Sequence, residues 1–573
     1  MRTTNLTLAL AALALAMASP AAQAQWTNDP WNGMVSVCSD SGEQAHLRTC
    51  RLGTNTTIAV WGDERDGEIP RLYFQILNSQ GIPQMQANGL PVIDGNWITA
   101  WGNIASSLIS DGEGGCIAVF EDHRNGSYHN IYGQRIDSLG NRLWGPTGQP
   151  LVIWAGGNTG LKDVTSDSLG NGFFAWSKNL FPTNEIYLQK FDLISGERLW
   201  GELGVMDCGG QALCDYQEIV ADGRGGVIDV WMDNRPGGFD YYLYGQHMNA
   251  AGHPLWTRNG VQLIDPHGGG AMWVAGLAEG VPDGSGGGVW AFHSAMYLLE
   301  MRRFRLADPG RILWSGVSQT SNSYDIEGML RHPGDGMIWL WTLENHGTPD
   351  KFFFHLYRLN TLTGEQLLGP RGIALGWVDA YPSTFTCVTP TSGGVIVFLA
   401  YDLHQISHVT ARRVTNSGTI RWTSEVALAG PPVQNAQDFE TPKSTSDGVD
   451  GAVCAFVDNR DFSQTQENIS AQRVQWNGQL GNPPPAAQSQ PGHQVGGLSE
   501  FAGIIRYVLP QPGEVQLELF DLLGRRVALL EQGYRPAGEQ MTRLNRQDYA
   551  SGIYWLRLTT TGQQQMLKVV MVR

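Results

Sequence analysis

The chain has 573 residues, a formal net charge of −16 and only 16% charged residues. This composition excludes nucleic acid as a partner, because phosphate binding needs clustered Lys and Arg side chains. The 72 glycines and 20 tryptophans are typical of many tight turns that join aromatic-rich strands, and they predict an all-β fold.

The first element, residues 1–24, has the pattern of a secretory signal peptide. Arg2 provides the positive start, residues 6–17 form the apolar stretch, and an Ala-Gln-Ala cleavage site occupies residues 22–24. The apolar stretch is too short to span a bilayer as a helix. We therefore expect export through the inner membrane, a mature chain that begins at Gln25, and no transmembrane segment in that chain.

All seven cysteines follow the predicted signal, so disulfides can form after export. The locally plausible pairs are Cys38 with Cys50 and Cys208 with Cys214, because each pair closes a short loop between strand-like segments. An odd total leaves at least one free thiol or an intermolecular pair.

The other three cysteines have different surroundings. Cys116 and Cys454 stand inside apolar runs, where a small buried side chain is the favoured interpretation. Cys387 is ambiguous between a buried and a paired cysteine. No Cys/His spacing predicts a zinc site.

One supersecondary pattern recurs about every 56 residues between residues 25 and 480. In its clearest form a copy opens with Asp-Gly-x-Gly-Gly, and an apolar run and Asp-x-Arg follow. A second strand-like run and a Gly-x-x-Leu-Trp turn complete the copy. Degenerate copies near Trp61 and Pro390 bring the number of copies to eight, and such a period indicates a repeat architecture. The clearest copies open at Asp111, Asp167, Asp222, Asp283, Asp335 and Asp447.

Each copy predicts four short antiparallel strands. In the second copy they are a strand that ends near Ser110, residues 116–121, residues 131–137, and a last strand from Leu143 to Ile153. The second strand is almost continuously apolar, whereas the third alternates between apolar and polar residues. Such units predict an eight-bladed β-propeller over residues 25–480, or a seven-bladed one if a weak copy fails.

The two ends of the repeat region predict how the ring closes. The last copy stops at Gly478, before a fourth strand, while the chain begins with a strand-like segment that precedes the first copy. We expect Met34–Val37 to pair with Ile469–Gln475 and to complete the last blade. This pairing would remove two open sheet edges. The alternative is a β-helix or open solenoid, which would need flatter coils and terminal caps.

Four copies carry the Asp-x-Arg element directly after the apolar run. Residues two apart on an extended strand share a face, so the carboxylate and the guanidinium can pair. Four such pairs could line one rim and bind a polar ligand or Ca²⁺. Because the motif recurs, a structural clasp is the favoured interpretation, and no cofactor is predicted. The pairs are Asp63 with Arg65, Asp122 with Arg124, Asp233 with Arg235, and Asp458 with Arg460.

Three of the six clearest copies lack this element, namely the third, the fifth and the sixth. The third copy has Lys178 near this position and the sixth has Glu344. Loops on a rigid scaffold are the usual place for function, so these departures mark candidate sites, although ordinary drift explains them equally well.

After the repeats, residues 481–500 are rich in proline and predict an extended linker. Residues 501–573 then form a separate module with six strand-like segments. Alternation with turns every 8–12 residues predicts a small β-sandwich. The segments are residues 504–509, 515–520, 526–530, 540–544, 553–558 and 566–572.

This module carries characteristic motifs at residues 505–510, 519–527, 550–554 and 568–573. With them it resembles the type A C-terminal sorting domain of proteins exported by the type IX secretion system, which has an Ig-like fold akin to flagellar hook-capping modules. The resemblance covers about an eighth of the chain. One departure is that residues 498–502 replace the Asn-Pro-rich start of many members. The matching residues include Arg506, Tyr507, Asp521, Gly524, Arg525, Gly552, Tyr554 and Lys568.

The resemblance implies a sorting signal rather than an enzymatic activity. Such domains belong to Gram-negative bacteria and guide a folded cargo across the outer membrane, so residues 501–573 would contact the type IX secretion machinery. The cargo would then reach the outer-membrane surface or the medium, and the domain is usually cleaved. The alternative is an Ig-like adhesion module that the mature protein retains.

The leading functional hypothesis is a non-catalytic surface or extracellular binding protein whose ligand is a glycan or a protein. The alternative is a propeller-fold glycan hydrolase or lyase. That enzyme predicts a cluster of unmatched carboxylates with raised pKa near the centre of the ring. A binding module predicts aromatic or polar patches without such a cluster.

Overall fold

The structure is a computed structural model, and the first unit of the chain covers residues 1–482 while the second covers residues 483–573. Each unit is described by itself. Among the described residues, none belongs to a helix that is long and apolar enough to cross a membrane. The described residues are 26–29, 34–54, 56–67, 70–95, 107–126, 128–180, 183–209, 214–235, 242–263, 274–294, 299–304, 312–318, 324–345, 352–378, 385–403, 406–422, 424–429, 442–458, 468–481, 496–501, 504–509, 513–521, 525–535, 538–544, 548–549, 552–560 and 563–571.

The first unit is built from strands alone within these ranges. In chain order the strands are β1 (Val35–Cys38), β2 (Gln44–Leu52), β3 (Thr56–Asp63), β4 (Arg71–Leu77), β5 (Leu90–Pro91), β6 (Ser107–Ser110), β7 (Cys116–Asp122), β8 (Asn130–Ile136), β9 (Gln149–Val152), β10 (Thr159–Ser166), β11 (Asn171–Leu180), β12 (Thr183–Asp192), β13 (Val205–Cys208), β14 (Cys214–Ala221), β15 (Val227–Asp233), β16 (Tyr242–Met248), β17 (Val261–Gln262), β18 (Val274–Pro282), β19 (Gly288–Ser294), β20 (Leu299–Phe304), β21 (Ile312–Ser318), β22 (Tyr324–Arg331), β23 (Ile338–Asn345), β24 (Phe352–Leu359), β25 (Ile373–Val378), β26 (Phe385–Thr391), β27 (Gly394–Leu403), β28 (Ile406–Thr415), β29 (Val426–Ala427), β30 (Lys443–Ser446), β31 (Ala452–Asp458) and β32 (Asn468–Val474).

These strands form eight four-stranded antiparallel sheets within the described part of the unit. Sheets 1 to 7 each take four consecutive strands, from β2–β5 to β26–β29, and sheet 8 combines β30, β31 and β32 with β1. The second strand of a sheet is covered on both faces by its neighbours. Every residue of β7, for example, is buried, which is why its sequence is almost continuously apolar.

The first strand of each sheet, here called an inner strand, lies at a sheet edge. Each inner strand contacts the inner strand of the next sheet, in the order β2, β6, β10, β14, β18, β22, β26 and β30, and β30 contacts β2 again. The eight sheets therefore form a closed cycle around a common centre, which is a propeller-like arrangement.

The core of this unit lies between consecutive sheets. Ile58 and Phe74 of sheet 1 pack with Cys116 and Phe120 of sheet 2 in one buried cluster. Further clusters join sheets 3 and 4, sheets 7 and 8, and sheets 8 and 1. Each sheet thus buries both faces against its neighbours and shares its core with them.

The amino-terminal residues join the last sheet. Val35 of β1 lies opposite Ala471 of β32 in an antiparallel pair. Thr27 offers its carbonyl to the Gln472 amide at 3.4 Å, and Asn28 accepts a hydrogen bond of 3.0 Å from the Leu480 backbone. The amino-terminal strand β1 therefore takes the place of the missing fourth strand.

The fourth strands are shorter than the sequence predicts. The sequence predicts one strand over Leu143–Ile153, but only Gln149–Val152 is a strand and Trp144 lies in a turn. The cause is Gln134 on the third strand, which the sequence analysis missed. Its amide nitrogen donates to the Gly145 carbonyl at 2.6 Å and its amide oxygen accepts from the Trp144 backbone at 3.0 Å, so it holds the turn.

The second unit consists of two antiparallel sheets that share one core. One sheet has the order β33, β34, β37 and the other β36, β35, β38, β39. The composition predicts that residues 496–500 are linker, but they belong to β33 and pair with β34, so the module begins earlier than residue 501. The strands are β33 (Gly496–Phe501), β34 (Ile504–Leu509), β35 (Gly513–Phe520), β36 (Arg526–Arg535), β37 (Gly538–Arg543), β38 (Gly552–Thr560) and β39 (Gln563–Met571).

Candidate functional site

The Asp-x-Arg elements lie at one end of the sheets, where the second strand turns into the third, here called the upper face. In sheet 2 the Asp122 carboxylate is fully buried and accepts from the Arg124 guanidinium at 2.7 Å. The same guanidinium lies 3.8 Å from the Tyr132 ring centre and donates to the Thr147 carbonyl at 2.6 Å. The element therefore ties the second and third strands to the turn before the fourth.

Sheets 1 and 4 repeat this arrangement. The Arg65 guanidinium lies 4.0 Å from the Tyr73 ring centre, and the Arg235 guanidinium lies 3.9 Å from the Tyr244 ring centre. Buried tryptophans add a further donor, since Trp61 Nε1 lies 2.8 Å from Asp63 and Trp231 Nε1 lies 3.1 Å from Asp233.

In sheet 8, Asp458 accepts a hydrogen bond of 2.9 Å from the Ser470 hydroxyl, and Arg460 lies outside the described residues. The carboxylates of Asp63, Asp122 and Asp233 are occupied by side chains of their own sheet. These contacts give the recurring element a role in holding each sheet together.

In sheet 3 a lysine occupies the position of the aspartate and lies in an aromatic environment. Lys178 Nζ lies 2.8 Å from the Tyr187 hydroxyl and 4.1 Å from the centre of the Tyr187 ring. The rings of Trp154 and Trp176 lie 5.4 and 6.0 Å from the same nitrogen, within the range of cation–π attraction. Trp154 and Tyr187 are only half-buried, so this group forms part of the upper surface.

Sheet 6 carries a buried acid and a histidine instead. His355 Nε2 lies 3.0 Å from the Glu344 carboxylate, and His355 Nδ1 lies 3.0 Å from the Arg371 carbonyl. Burial disfavours the charged ring, but the hydrogen bonds to Glu344 and Arg371 outweigh it, so the pKa of His355 is raised. The pair stabilises this corner of the sheet when His355 is protonated.

A β-bulge interrupts the inner strand of sheets 1, 3, 4, 5 and 6 near the upper face. Two bulged residues, His46 and Tyr216, both have a φ of 56°. This left-handed conformation is strained for a bulky side chain and is found where the backbone re-aims a side chain at a functional surface. The Tyr216 side chain is 56% exposed.

Two covalent or ionic links hold the Tyr216 bulge in place. Asp215 pairs with Lys162 of the preceding inner strand at 2.8 Å. A disulfide of 2.08 Å joins Cys208, at the end of sheet 3, to Cys214, at the start of sheet 4. Tyr216 is therefore an exposed aromatic side chain on a firmly anchored backbone.

Three inner strands place a carboxyl group directly after the bulge: Asp163, Glu218 and Glu279, here called the inner-strand acids. Asp163 accepts from the Ile219 backbone N–H at 2.8 Å, and Glu279 accepts from the Met329 N–H at 2.6 Å. An inner strand has one unpaired edge whose N–H groups need acceptors. Each acid satisfies such a group on the next sheet.

Burial changes the ionisation of these acids. It raises the pKa of Asp163 to about 6 and the pKa of Glu279 to about 7. Burial and the nearby charges of Asp163 and Glu279 raise the pKa of Glu218 well above its usual range. Glu218 therefore holds a proton at neutral pH and Glu279 is partly protonated there, whereas Asp163 is mostly ionised. Each of the three acids has a backbone amide partner on the next sheet.

None of the motifs in the sequence predicts the inner-strand acids. The signal was present, because Asp163, Glu218 and Glu279 each stand four residues before an opening aspartate of a repeat. Carboxyl groups that recur at one repeat position indicate a shared contact with the neighbouring sheet.

The predicted disulfide between Cys38 and Cys50 is wrong. Both residues are free thiols. Cys38 ends β1 and lies opposite Ile469 in sheet 8, whereas Cys50 belongs to the inner strand of sheet 1. The two strands belong to different sheets because β1 closes the last sheet instead of forming a hairpin with β2.

One group among the described residues has the donor spacing of a metal site: Cys208, Cys214 and Asp233. Its two sulfurs form the disulfide, and the carboxylate accepts from Arg235 Nε at 2.7 Å. Its donors are therefore already engaged within the protein.

In the second unit the sorting-domain residues have structural positions. Tyr507 and Tyr554 are buried in the core between the two sheets. Asp521 accepts from the Arg525 backbone at 2.9 Å and from its side chain at 2.7 Å, which closes a turn. The remaining positions are Arg506 on β34, Gly552 and Lys568 on β38 and β39, and Gly524, which lies outside the described residues.

Comparison with known families assigns the second unit. Residues 504–572 match the model of the secretion system C-terminal sorting domain. The chain therefore carries a type IX sorting domain, which directs export to the cell surface or the extracellular space. No curated protein matches the chain.

Solved structures similar to the chain are remote. PorZ, a surface component of the type IX secretion system of Porphyromonas gingivalis, is 12% identical with a TM-score of 0.27, over 90% of this chain and 74% of PorZ. Prolyl oligopeptidase B of Galerina marginata is 10% identical with a TM-score of 0.38, over 80% of this chain and 56% of that protein. A polysaccharide lyase acting on ulvan is 11% identical with a TM-score of 0.36, over 77% of this chain and 96% of the lyase.

Proposed function

We propose that the protein is a surface or secreted eight-bladed β-propeller with an Ig-like sorting domain, and that it binds a glycan without modifying it. The eight sheets and the closed cycle of inner strands support the number of blades. The common core of the two tail sheets supports the sandwich. The ligand would bind at the upper face of sheets 3 and 4.

The observation that carries this proposal is Tyr216. A ring that is 56% exposed on a strained and anchored bulge offers a flat apolar face at little cost in conformational entropy. Sugar rings present apolar C–H faces and polar rims, so they stack on such side chains. Lys162 and Asp215 beside it provide the polar groups that fix orientation.

The group around Lys178 extends this surface on sheet 3. Trp154 and Tyr187 are half-buried aromatic side chains with a cation between them. Two aromatic positions on one face are typical of binding to a chain of several sugars rather than to a single one.

The experiment is a binding measurement with purified soluble polysaccharides: neutral laminarin, anionic chondroitin sulfate and cationic chitosan fragments. We expect the mature protein to bind one of these classes, and Tyr216→Ala to reduce the affinity about tenfold, the loss of roughly one stacking contact. The matched control is Tyr534→Ala in the second unit, since Tyr534 is 64% exposed. Equal affinities of both variants would contradict the proposal.

The second candidate is a glycan hydrolase or lyase, which the raised pKa values of the inner-strand acids favour. A carboxyl group protonated near neutral pH is suited to act as a general acid. The same polysaccharides distinguish the two functions. An enzyme would release reducing ends or unsaturated products that disappear in Glu218→Gln, whereas a binding protein leaves the polymers intact.

A further inference from the structure

Two cysteines that the sequence analysis did not pair lie next to each other between sheets 7 and 8. Cys387 is on the inner strand β26 and Cys454 is on the second strand β31. Both pack in the same apolar cluster, and each thiol influences the pKa of the other. Both are free thiols in this structure.

The strand register explains why they meet. Ser444 lies directly opposite Cys454 in the ladder between β30 and β31. The Thr389 hydroxyl donates to the Ser444 hydroxyl at 2.6 Å, so β26 contacts β30 at this point. Cys387 is two residues before Thr389 and therefore on the same face of β26. The backbone thus brings the two thiols together across the interface.

We propose that Cys387 and Cys454 form a disulfide after export, which links sheets 7 and 8 covalently. The periplasm that the chain enters behind its signal peptide is oxidising. The link would join two sheets next to the seam where β1 closes the ring. It would act as Cys208–Cys214 does between sheets 3 and 4.

The reaction is a thiol–disulfide exchange. The Cys387 thiolate attacks the disulfide of a periplasmic thiol oxidoreductase, and Cys454 then displaces that protein. One S–S bond forms in this chain, the two thiols lose two protons and two electrons, and the disulfide of the oxidoreductase is reduced to a dithiol.

The surroundings suit Cys387 to be the attacking thiol. It is partly exposed, whereas Cys454 is fully buried. Burial raises the pKa of Cys387, but hydrogen bonds with Cys454 and Ser444 and the charge of Lys443 outweigh burial, so the pKa is lowered. A thiol with a lowered pKa beside a second cysteine is the usual pattern of a reactive pair.

The test uses the full chain purified from the periplasm without reductant and alkylated with N-ethylmaleimide before digestion. We expect a peptide pair joined through Cys387 and Cys454, with a mass lower by two hydrogens, and two of the five free thiols lost. Cys387→Ser would abolish the pair and lower the melting temperature under non-reducing conditions. Cys38→Ser, a buried thiol beside Asp63 and Arg65, is the control that leaves the pair intact.

Two outcomes would overturn the proposal. One is full alkylation of both thiols, in the purified protein and after incubation with oxidised glutathione. The other is linkage of either cysteine to a different partner.

Discussion

Individual side chains in this protein act mainly on the sheet that holds them and on the next sheet. Arg124 stacks on Tyr132 and pairs with the fully buried Asp122. The inner-strand acids serve the backbone of the neighbouring sheet. The first contact depends on charge in a low dielectric and the second on a buried oxygen acceptor, so single substitutions test them.

Arg124→Met would leave the buried Asp122 carboxylate without its cation. We expect a loss of about 3 kcal/mol in the free energy of unfolding, measured by urea denaturation, because an uncompensated buried charge is costly. Arg142→Met is the control, since Arg142 pairs with Asp94, whose side chain is 57% exposed. That variant should lose less than about 1 kcal/mol. Equal losses would show that Arg124 is not a clasp.

Glu279→Gln tests the inner-strand acids through pH. The pKa of Glu279 is raised from 4.5 to about 7 in the folded protein. Its ionisation therefore opposes folding, and the wild-type protein loses stability as pH rises from about 4.5 to about 7. A neutral glutamine that keeps the acceptor for Met329 removes this loss.

We expect Glu279→Gln to exceed the wild-type stability by about 1–2 kcal/mol at pH 8, after allowance for solvent screening, and to match it at pH 4.5. Chemical denaturation at both pH values measures the difference. If the two proteins differed in unfolding free energy by the same amount at both pH values, the result would contradict the raised pKa of Glu279.

At the scale of the element, the turns before the fourth strands join one sheet to the next. The Trp144 ring of sheet 2 packs against Gly196 of sheet 3, and the Trp200 ring of sheet 3 packs against Gly252 of sheet 4. Gly81 of sheet 1 has the same relation to Trp26 of the amino-terminal segment. The turn glycine thus provides a flat surface for an indole ring of the preceding sheet.

Gly196→Ala should destabilise the protein more than Gly145→Ala. Both glycines have positive φ, 75° and 81°, so alanine adds conformational strain of about 1 kcal/mol at either position. At Gly196 the new Cβ would lie 3.1 Å from the Trp144 ring, whereas at Gly145 it would meet nothing within 4 Å. We expect a further loss of about 1–2 kcal/mol for Gly196→Ala in urea denaturation. Equal losses would contradict the indole contact.

The elements show what the sequence could and could not predict. The repeat period predicted the four-stranded sheets, because each copy must bury the same two faces. It overestimated the fourth strand, because nothing in local propensity shows that Gln134 holds Trp144 in a turn. The predicted Cys38–Cys50 disulfide is wrong for a related reason. Closure of the ring, and not distance along the chain, decides which strand pairs with β1.

The candidate surface was harder to predict than the fold. Tyr216 looks like an ordinary strand residue in the sequence, and only the bulge and its φ of 56° turn it outwards. The inner-strand acids likewise look like charged surface positions until the neighbouring inner strand is present. Lys178 was noticed only because its copy departs from the repeat.

At the scale of the whole molecule, the two units have different roles. Residues 504–572 match the sorting domain, and the sheets of the first unit form the cargo. Deletion of residues 496–573 should leave a folded first unit in the periplasm, measured by fractionation and by protease accessibility on intact cells. Unchanged surface display of the deletion variant would contradict the role of the tail.

Closure of the ring by the amino-terminal strand is the claim on which the fold depends. The most direct measurement is cross-linking of Val35→Cys with Ala471→Cys in a Cys38→Ser background, because these residues are opposite each other in β1 and β32. Val35→Cys with Ala455→Cys, one strand further away, is the control. We expect a disulfide in the first variant and none in the second. Absence of a cross-link between positions 35 and 471, in a protein that is folded, would contradict the closed ring.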